Sequence, residues 1–144
     1  MKERVIALGF FDGVHLGHGA LLRRAAEEAA LRGCTPAVFT FDRPPKEVVT
    51  GVPCPLINSP EDRRDLVRRL YRIQDVLMVP FDREMMTTPW DDFIVRILVG
   101  RYHAVHLVAG HDHHFGHRNQ GTPELLAQKC AQLGLGCDII PKVE

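Results

Sequence analysis

The chain has 144 residues, 45% of them hydrophobic and 25% charged, with 18 Lys plus Arg against 18 Asp plus Glu. That length suits one domain with its own core, and the balanced charge provides no basic stripe for nucleic acid or an anionic membrane. No apolar run approaches the roughly 20 residues of a membrane span, and the stretch after Met1-Lys2-Glu3-Arg4 is too short for a signal peptide, so the expected location is the cytoplasm.

Val5-Ile6-Ala7-Leu8 is continuous, apolar and partly β-branched, and predicts a strand buried on both faces. Gly17 to Arg32 follows with Leu21, Leu22, Ala25 and Ala29 on one side and Arg23, Arg24, Glu27, Glu28 and Arg32 on the other. This is an amphipathic helix, and Gly33 stops it. Pro36 to Phe41 reads as the second strand. Asp42 to Asn58 holds four of the ten prolines and reads as a long loop of the kind that carries function. Ser59 is an N-cap with Pro60 at the first helical position, and Leu66, Val67, Leu70 and Tyr71 mark the core stripe of that helix. Val76 to Val79 is the third strand. Thr88-Pro89 repeats the capping chemistry before Phe93, Ile94, Ile97 and Leu98. Val105 to Ala109 is the fourth strand. Thr122-Pro123-Glu124 repeats that entry chemistry before Leu125, Leu126, Cys130 and Leu133, and Gly134 ends that helix. Cys137-Asp138-Ile139-Ile140 is a weaker fifth strand. Strands alternating with helices imply an α/β fold, a parallel sheet with helices on both faces. The cysteines Cys34, Cys54, Cys130 and Cys137 have no zinc-ligand spacing and are expected reduced.

In an open parallel sheet, ligands bind at the carboxyl ends of the strands, where the strand order reverses. Gly9-Phe10-Phe11-Asp12-Gly13-Val14-His15-Leu16-Gly17-His18 occupies that place after the first strand and opens the first helix. Its glycines allow tight turning and close approach of a ligand. A helix start offers N–H groups and a positive dipole end to phosphate. The segment is neither a dinucleotide fingerprint nor a P-loop, since it has no lysine. His15 and His18, three apart, can meet phosphate on one side of a helical turn. On spacing alone, phosphate contact stands beside two alternatives: histidines that merely cap or pack the helix start, and an HxxH metal pair.

GFFDGVHLGH resembles the HxGH motif of the nucleotidylyltransferase superfamily, and within it the adenylyltransferase (FAD synthetase) module of bacterial bifunctional riboflavin kinase/FAD synthetases. Thr40-Phe41-Asp42, Val79-Pro80-Phe81-Asp82 and Gly110-His111-Asp112-His113-His114-Phe115-Gly116 resemble further motifs of that family, in order along the chain. The resemblance implies a Rossmann-like three-layer α/β/α sandwich with a five-stranded parallel sheet, residues 1–144 forming the nucleotidylyltransferase domain. It implies FMN adenylyltransferase activity, in which FMN and MgATP give FAD and pyrophosphate. His15 and His18 would be the catalytic pair. Gly9, Phe10, Phe11, Asp12 and Gly17 would line the ATP site, with Asp42 and Asp112 at the ends of the second and fourth strands. Mg²⁺ would be held by phosphate oxygens and water, with no protein carboxylate as its ligand.

The chain departs from the family pattern at three places. Pro44 stands where the family has a histidine, and His113 where it has an aromatic residue. The family's ISSTxIR phosphate motif and its riboflavin kinase domain have no counterpart in these 144 residues. Nucleotide binding with weak or absent catalysis is therefore expected of this form, whether it is a piece of a longer protein or a degenerate relative. Two other readings stand beside this one: a non-catalytic nucleotide- or flavin-binding module, and an HxGH transferase with another acceptor, such as pantetheine phosphate, nicotinate mononucleotide or glycerol phosphate. His111, Asp112, His113, His114 and His117 could also suggest Zn²⁺ or Ni²⁺, but in an extended segment alternate side chains point apart and few would converge.

Overall fold

Five short segments pair into one all-parallel sheet: β1 (Arg4–Leu8), β2 (Thr35–Phe41), β3 (Asp75–Val79), β4 (Ala104–Gly110) and β5 (Gly136–Ile140), in the order β3-β2-β1-β4-β5. The computed structural model describes residues 2–11, 16–54, 56 and 59–141. β1 lies at the centre, and the chain reverses its direction of travel across the sheet between β1 and β4. β1, β2 and β4 are apolar because both their faces are covered. β3 and β5 are edge strands and are mostly half-buried, so β3 is less enclosed than its apolar sequence suggests.

Alternate residues of each strand serve two cores. On one face Val5, Ala7, Val38 and Val108 pack against Leu21, Leu22, Ala25 and Ala29 of α1 (Leu16–Arg32) and Val67 of α3 (Pro60–Tyr71). On the other face Ile6, Leu8, Ala37, Phe39, Leu107 and Ala109 pack against two further helices. One is the helix that begins as α5 (Trp90–Asp92) and continues in π-helical turns over Phe93–Arg101. The second is α6 (Pro123–Leu133). The three-layer α/β/α expectation holds.

The helix boundaries follow local chemistry. Ser59 Oγ accepts the Asp62 N–H at 3.1 Å, and Thr122 Oγ1 accepts that of Leu125 at 3.1 Å. Gly33 and Gly134 take the left-handed backbone that ends α1 and α6. Thr88 does not cap its helix. Its hydroxyl turns back to the Glu84 carbonyl at 2.7 Å, because the short α4 (Arg83–Met86) leaves that acceptor within reach, and extended Pro89 precedes the helix instead. The Asp42-to-Asn58 stretch is not wholly loop. α2 (Pro45–Thr50) forms within it, with Pro45 preset for the first turn and Gly51 closing it. Pro44, in the place of the family's histidine, gives the extended residue before α2 and accepts the Glu47 N–H at 3.0 Å.

Candidate active site

The carboxyl ends of β1 and β4 meet at the topological switch, and two features lie there. The first is the turn leaving β1. Gly9 N–H donates to the Phe39 carbonyl at 3.3 Å, and Phe11 then takes a left-handed φ of 61°. Such a φ costs a non-glycine residue about 1 kcal/mol or more. It is held because the Phe11 ring is 2% exposed, packed in the α1-side core edge-on to His18 (centroids 5.1 Å apart). Gly9 is required above that ring, since a Cβ there would lie 2.7 Å from Phe11 Cζ. Asp12 and His15 lie outside the described residues. Gly17 and His18 belong to the first turn of α1, the end of the helix that favours anions.

The second feature is a cavity of about 200 Å³ on the opposite face of the sheet. Phe10, Phe39, Phe41, Phe81, Phe93 and Phe115 give it aromatic walls, and His113, His114 and Asn119 bring polar atoms to its rim. The rings interlock edge to face: Phe39 with Phe41 and Phe93, both at 5.4 Å, and Phe41 with Phe81 at 4.8 Å. Gly116 closes the wall at φ 78°, so close to Trp90 that a Cβ would sit 2.6 Å from its Cα.

His113 stacks on Phe115 with centroids 5.8 Å apart and planes 16° from parallel. Burial pulls its pKa from 6.5 down to about 4; the Asp112 charge opposes the fall and His114 adds to it. Near neutral pH it is thus an uncharged planar ring, which lets it occupy an aromatic position in an apolar wall.

Asp42 and Asp112 differ in use. Asp42 Oδ1 accepts the Phe81 N–H at 3.1 Å, and its own N–H donates to Val79, tying the ends of β2 and β3 together. Asp112 is exposed, with Oδ1 folded back over Gly110 at the end of β4. The neighbouring histidines do not gather into a metal centre among the described residues. His114 Nδ1–H donates to the Asp112 carbonyl at 2.9 Å, and His113 stacks. The described His/Cys/Asp/Glu side chains that do converge are Glu28, His106 and Asp138, near the amino half of the sheet. There His106 Nε2–H donates to Asp138, while Arg24 and Arg32 pair with Asp138 and Glu28.

Sequence reasoning missed Arg63. It lies in a run of mixed charges, Glu61-Asp62-Arg63-Arg64-Asp65, and an arginine there reads as a solvated face. In the fold it is 1% exposed, with its guanidinium under the ends of β1 and β2. The signal was the spacing of Arg63, Val67 and Tyr71, one stripe of a helix. Leu70, expected in the core, is 60% exposed, because the stripe that meets the sheet runs through Arg63 and Val67 instead.

The family model described as FAD synthetase matches residues 1–144. Curated relatives named bifunctional riboflavin kinase/FMN adenylyltransferase include one from Escherichia coli (strain K12), 35% identical over 137 residues, 94% of this chain and 42% of that one. Another, from Listeria monocytogenes, is 33% identical over 88% of this chain and 40% of its own. A third, from Bacillus subtilis (strain 168), is 31% identical over 98% of this chain and 44% of its own. The chain thus spans less than half the length of these relatives. The crystal structure of a macrolide-efflux protein from Streptococcus pneumoniae superposes with a TM-score of 0.84 at 26% identity, covering 99% of this chain and 46% of that one. A universal stress protein from Archaeoglobus fulgidus shares the fold alone, with a TM-score of 0.56 at 17% identity, covering 97% of this chain and 94% of that one. No helix among the described residues is long and apolar enough to cross a membrane. With the doubly wound sheet, the turn after β1 and a family match along its whole length, the chain belongs to the FAD synthetase family.

Proposed function

We propose that this chain is an FMN adenylyltransferase module that binds MgATP and FMN and transfers AMP to give FAD and pyrophosphate. The observation that carries this reading is a juxtaposition. At the β1/β4 switch a tight turn lines an aromatic-walled cavity through Gly9 and Phe10 and precedes, in the chain, a helix start suited to phosphate. A flavin nucleotide has those two parts, an anionic phosphate and a flat apolar ring. The names of the relatives agree with this reading.

In the reaction an FMN phosphate oxygen forms a bond to the α-phosphorus of ATP as the bond to the β-phosphate oxygen breaks in line, and pyrophosphate leaves. Catalysis is then positioning plus charge stabilisation. His15 and His18 hold the ATP phosphates and meet charge developing on the leaving group. Gly9 to Asp12 and Gly17 allow close approach of the nucleotide. Asp112, exposed at the end of β4, serves the ribose or flavin-nucleotide side, while Asp42 acts on the site by fixing the β2 and β3 ends. Mg²⁺ enters with ATP as part of the substrate.

The test is to incubate the protein with FMN and MgATP and follow FAD and pyrophosphate together. A His15→Ala, His18→Ala double variant should lower turnover about 100-fold or more. FMN binding without pyrophosphate release would reduce the chain to a binding module, and preference for another mononucleotide would reassign the acceptor.

A further inference from the structure

Arg63 stands outside every segment that marks the site in the sequence, yet its side chain reaches the turn after β1. One guanidinium nitrogen, Nη1, donates to the Phe10 carbonyl at 2.9 Å and to Thr40 Oγ1 at 3.1 Å. Nη2 donates to the Phe41 carbonyl at 3.0 Å and the Asp42 carbonyl at 3.2 Å. The Thr40 hydroxyl in turn donates to the Phe10 carbonyl at 2.9 Å, so that one carbonyl takes two hydrogen bonds. The guanidinium carbon lies 4.2 Å from the centre of the Phe10 ring, itself part of the cavity wall. A planar fork of donors can hold several acceptors at fixed angles, which a lysine cannot do.

Two consequences follow. Because the Phe10–Phe11 peptide is trans, drawing its carbonyl toward Arg63 turns the Phe11 N–H to the opposite side. The strained φ at Phe11 is thereby held from both ends, by the guanidinium on the carbonyl before it and by the buried ring after it. In addition, a permanent positive charge sits directly behind the wall shared by the turn and the cavity, where an anionic nucleotide would lie.

We propose that Arg63 is the positioning residue of the nucleotide site, fixing the Gly9–Phe11 turn and the Phe10 ring in the arrangement that ligand requires. The identity of that ligand rests on the adenylyl-transfer reading; the fixing of the turn does not.

Three variants test it. Arg63→Met removes the fork and the charge, Arg63→Lys keeps the charge alone, and Thr40→Val removes one donor to the Phe10 carbonyl with little change of shape. Amide hydrogen exchange is read over residues 5–11, with α6 as internal control, beside kcat and KM for FAD formation. In Arg63→Met, exchange at residues 9–11 should quicken about tenfold with α6 unchanged. Its kcat should fall about tenfold to a hundredfold while KM for MgATP moves less than about threefold. Arg63→Lys should recover part of kcat. If Arg63→Met does not fold, Thr40→Val decides, with exchange at residues 9–11 quickening about threefold. Unchanged exchange at residues 9–11, or a loss of kcat no larger than the unfolded fraction, overturns the proposal. Wild-type protein that neither binds FMN or MgATP nor forms FAD refutes the functional reading instead, and the exchange data still decide what Arg63 does.

Discussion

Replacing His113 by Phe should remove a pH dependence of stability that the wild-type chain carries. The unfolded imidazole takes up a proton below about pH 6.5, whereas in the fold burial delays uptake until about pH 4. Between those values the unfolded state binds more protons, so stability falls as pH falls. It is undiminished above about pH 6.5 and levels off below about pH 4. The gap corresponds to about 3 kcal/mol, a ceiling because the ring is only partly buried. The assay is urea unfolding of both proteins at several pH values from 7 to 4. The wild-type curve should lose up to about 3 kcal/mol more than His113→Phe across that window. Parallel curves would refute the reasoning: the imidazole would then charge as easily in the wall as in water, and its role as an uncharged ring would fail.

Other expectations follow from single contacts. Leu126→Ala empties a fully buried position between α6 and the sheet and should cost about 3 kcal/mol in chemical denaturation. Gly116→Ala would press a Cβ against the Trp90 backbone at φ 78°, costing about 2–3 kcal/mol and narrowing the aromatic cavity, which weakened FMN binding would report. Asp75 is partly desolvated, which raises its pKa, but hydrogen bonds from Arg4 and Lys2 outweigh this and hold it below the ordinary carboxylate value. Asp75→Asn should therefore cost about 1 kcal/mol near neutral pH, a difference that disappears as pH falls through that depressed value and is checked by thermal unfolding over a pH series descending from 7.

Much of this architecture is written in local patterns. Val5 to Leu8 and Leu107 to Ala109 are apolar on both faces because they belong to central strands, and Ser59 and Thr122 mark helix starts because their hydroxyls satisfy a specific N–H. What local pattern misses is anything decided by a distant partner. Arg63 belongs to the core because the ends of β1 and β2 offer it carbonyls, and the chain around it contains no hint of them. Thr88 fails as a cap because α4, invisible as a four-residue helix, competes for its hydroxyl. The turn after β1 was readable as a phosphate site from its glycines and histidines. The cavity beside it was not, since its aromatic residues come from five separate segments.

That dispersal bears on when the cavity forms. β1 is paired on one side by β2, early in the chain, and on its other side by β4, with Arg4 opposite Ala104. During synthesis the central strand is therefore half-paired until about a hundred further residues have emerged, and such long-range closure is slow. The cavity draws on Leu8 and Asn119 alike, so its walls are all present only after the chain beyond β4 has emerged. A ligand that needs its walls cannot guide the early steps of folding. It can only capture the finished domain, and its uptake would be a direct clock for the final step.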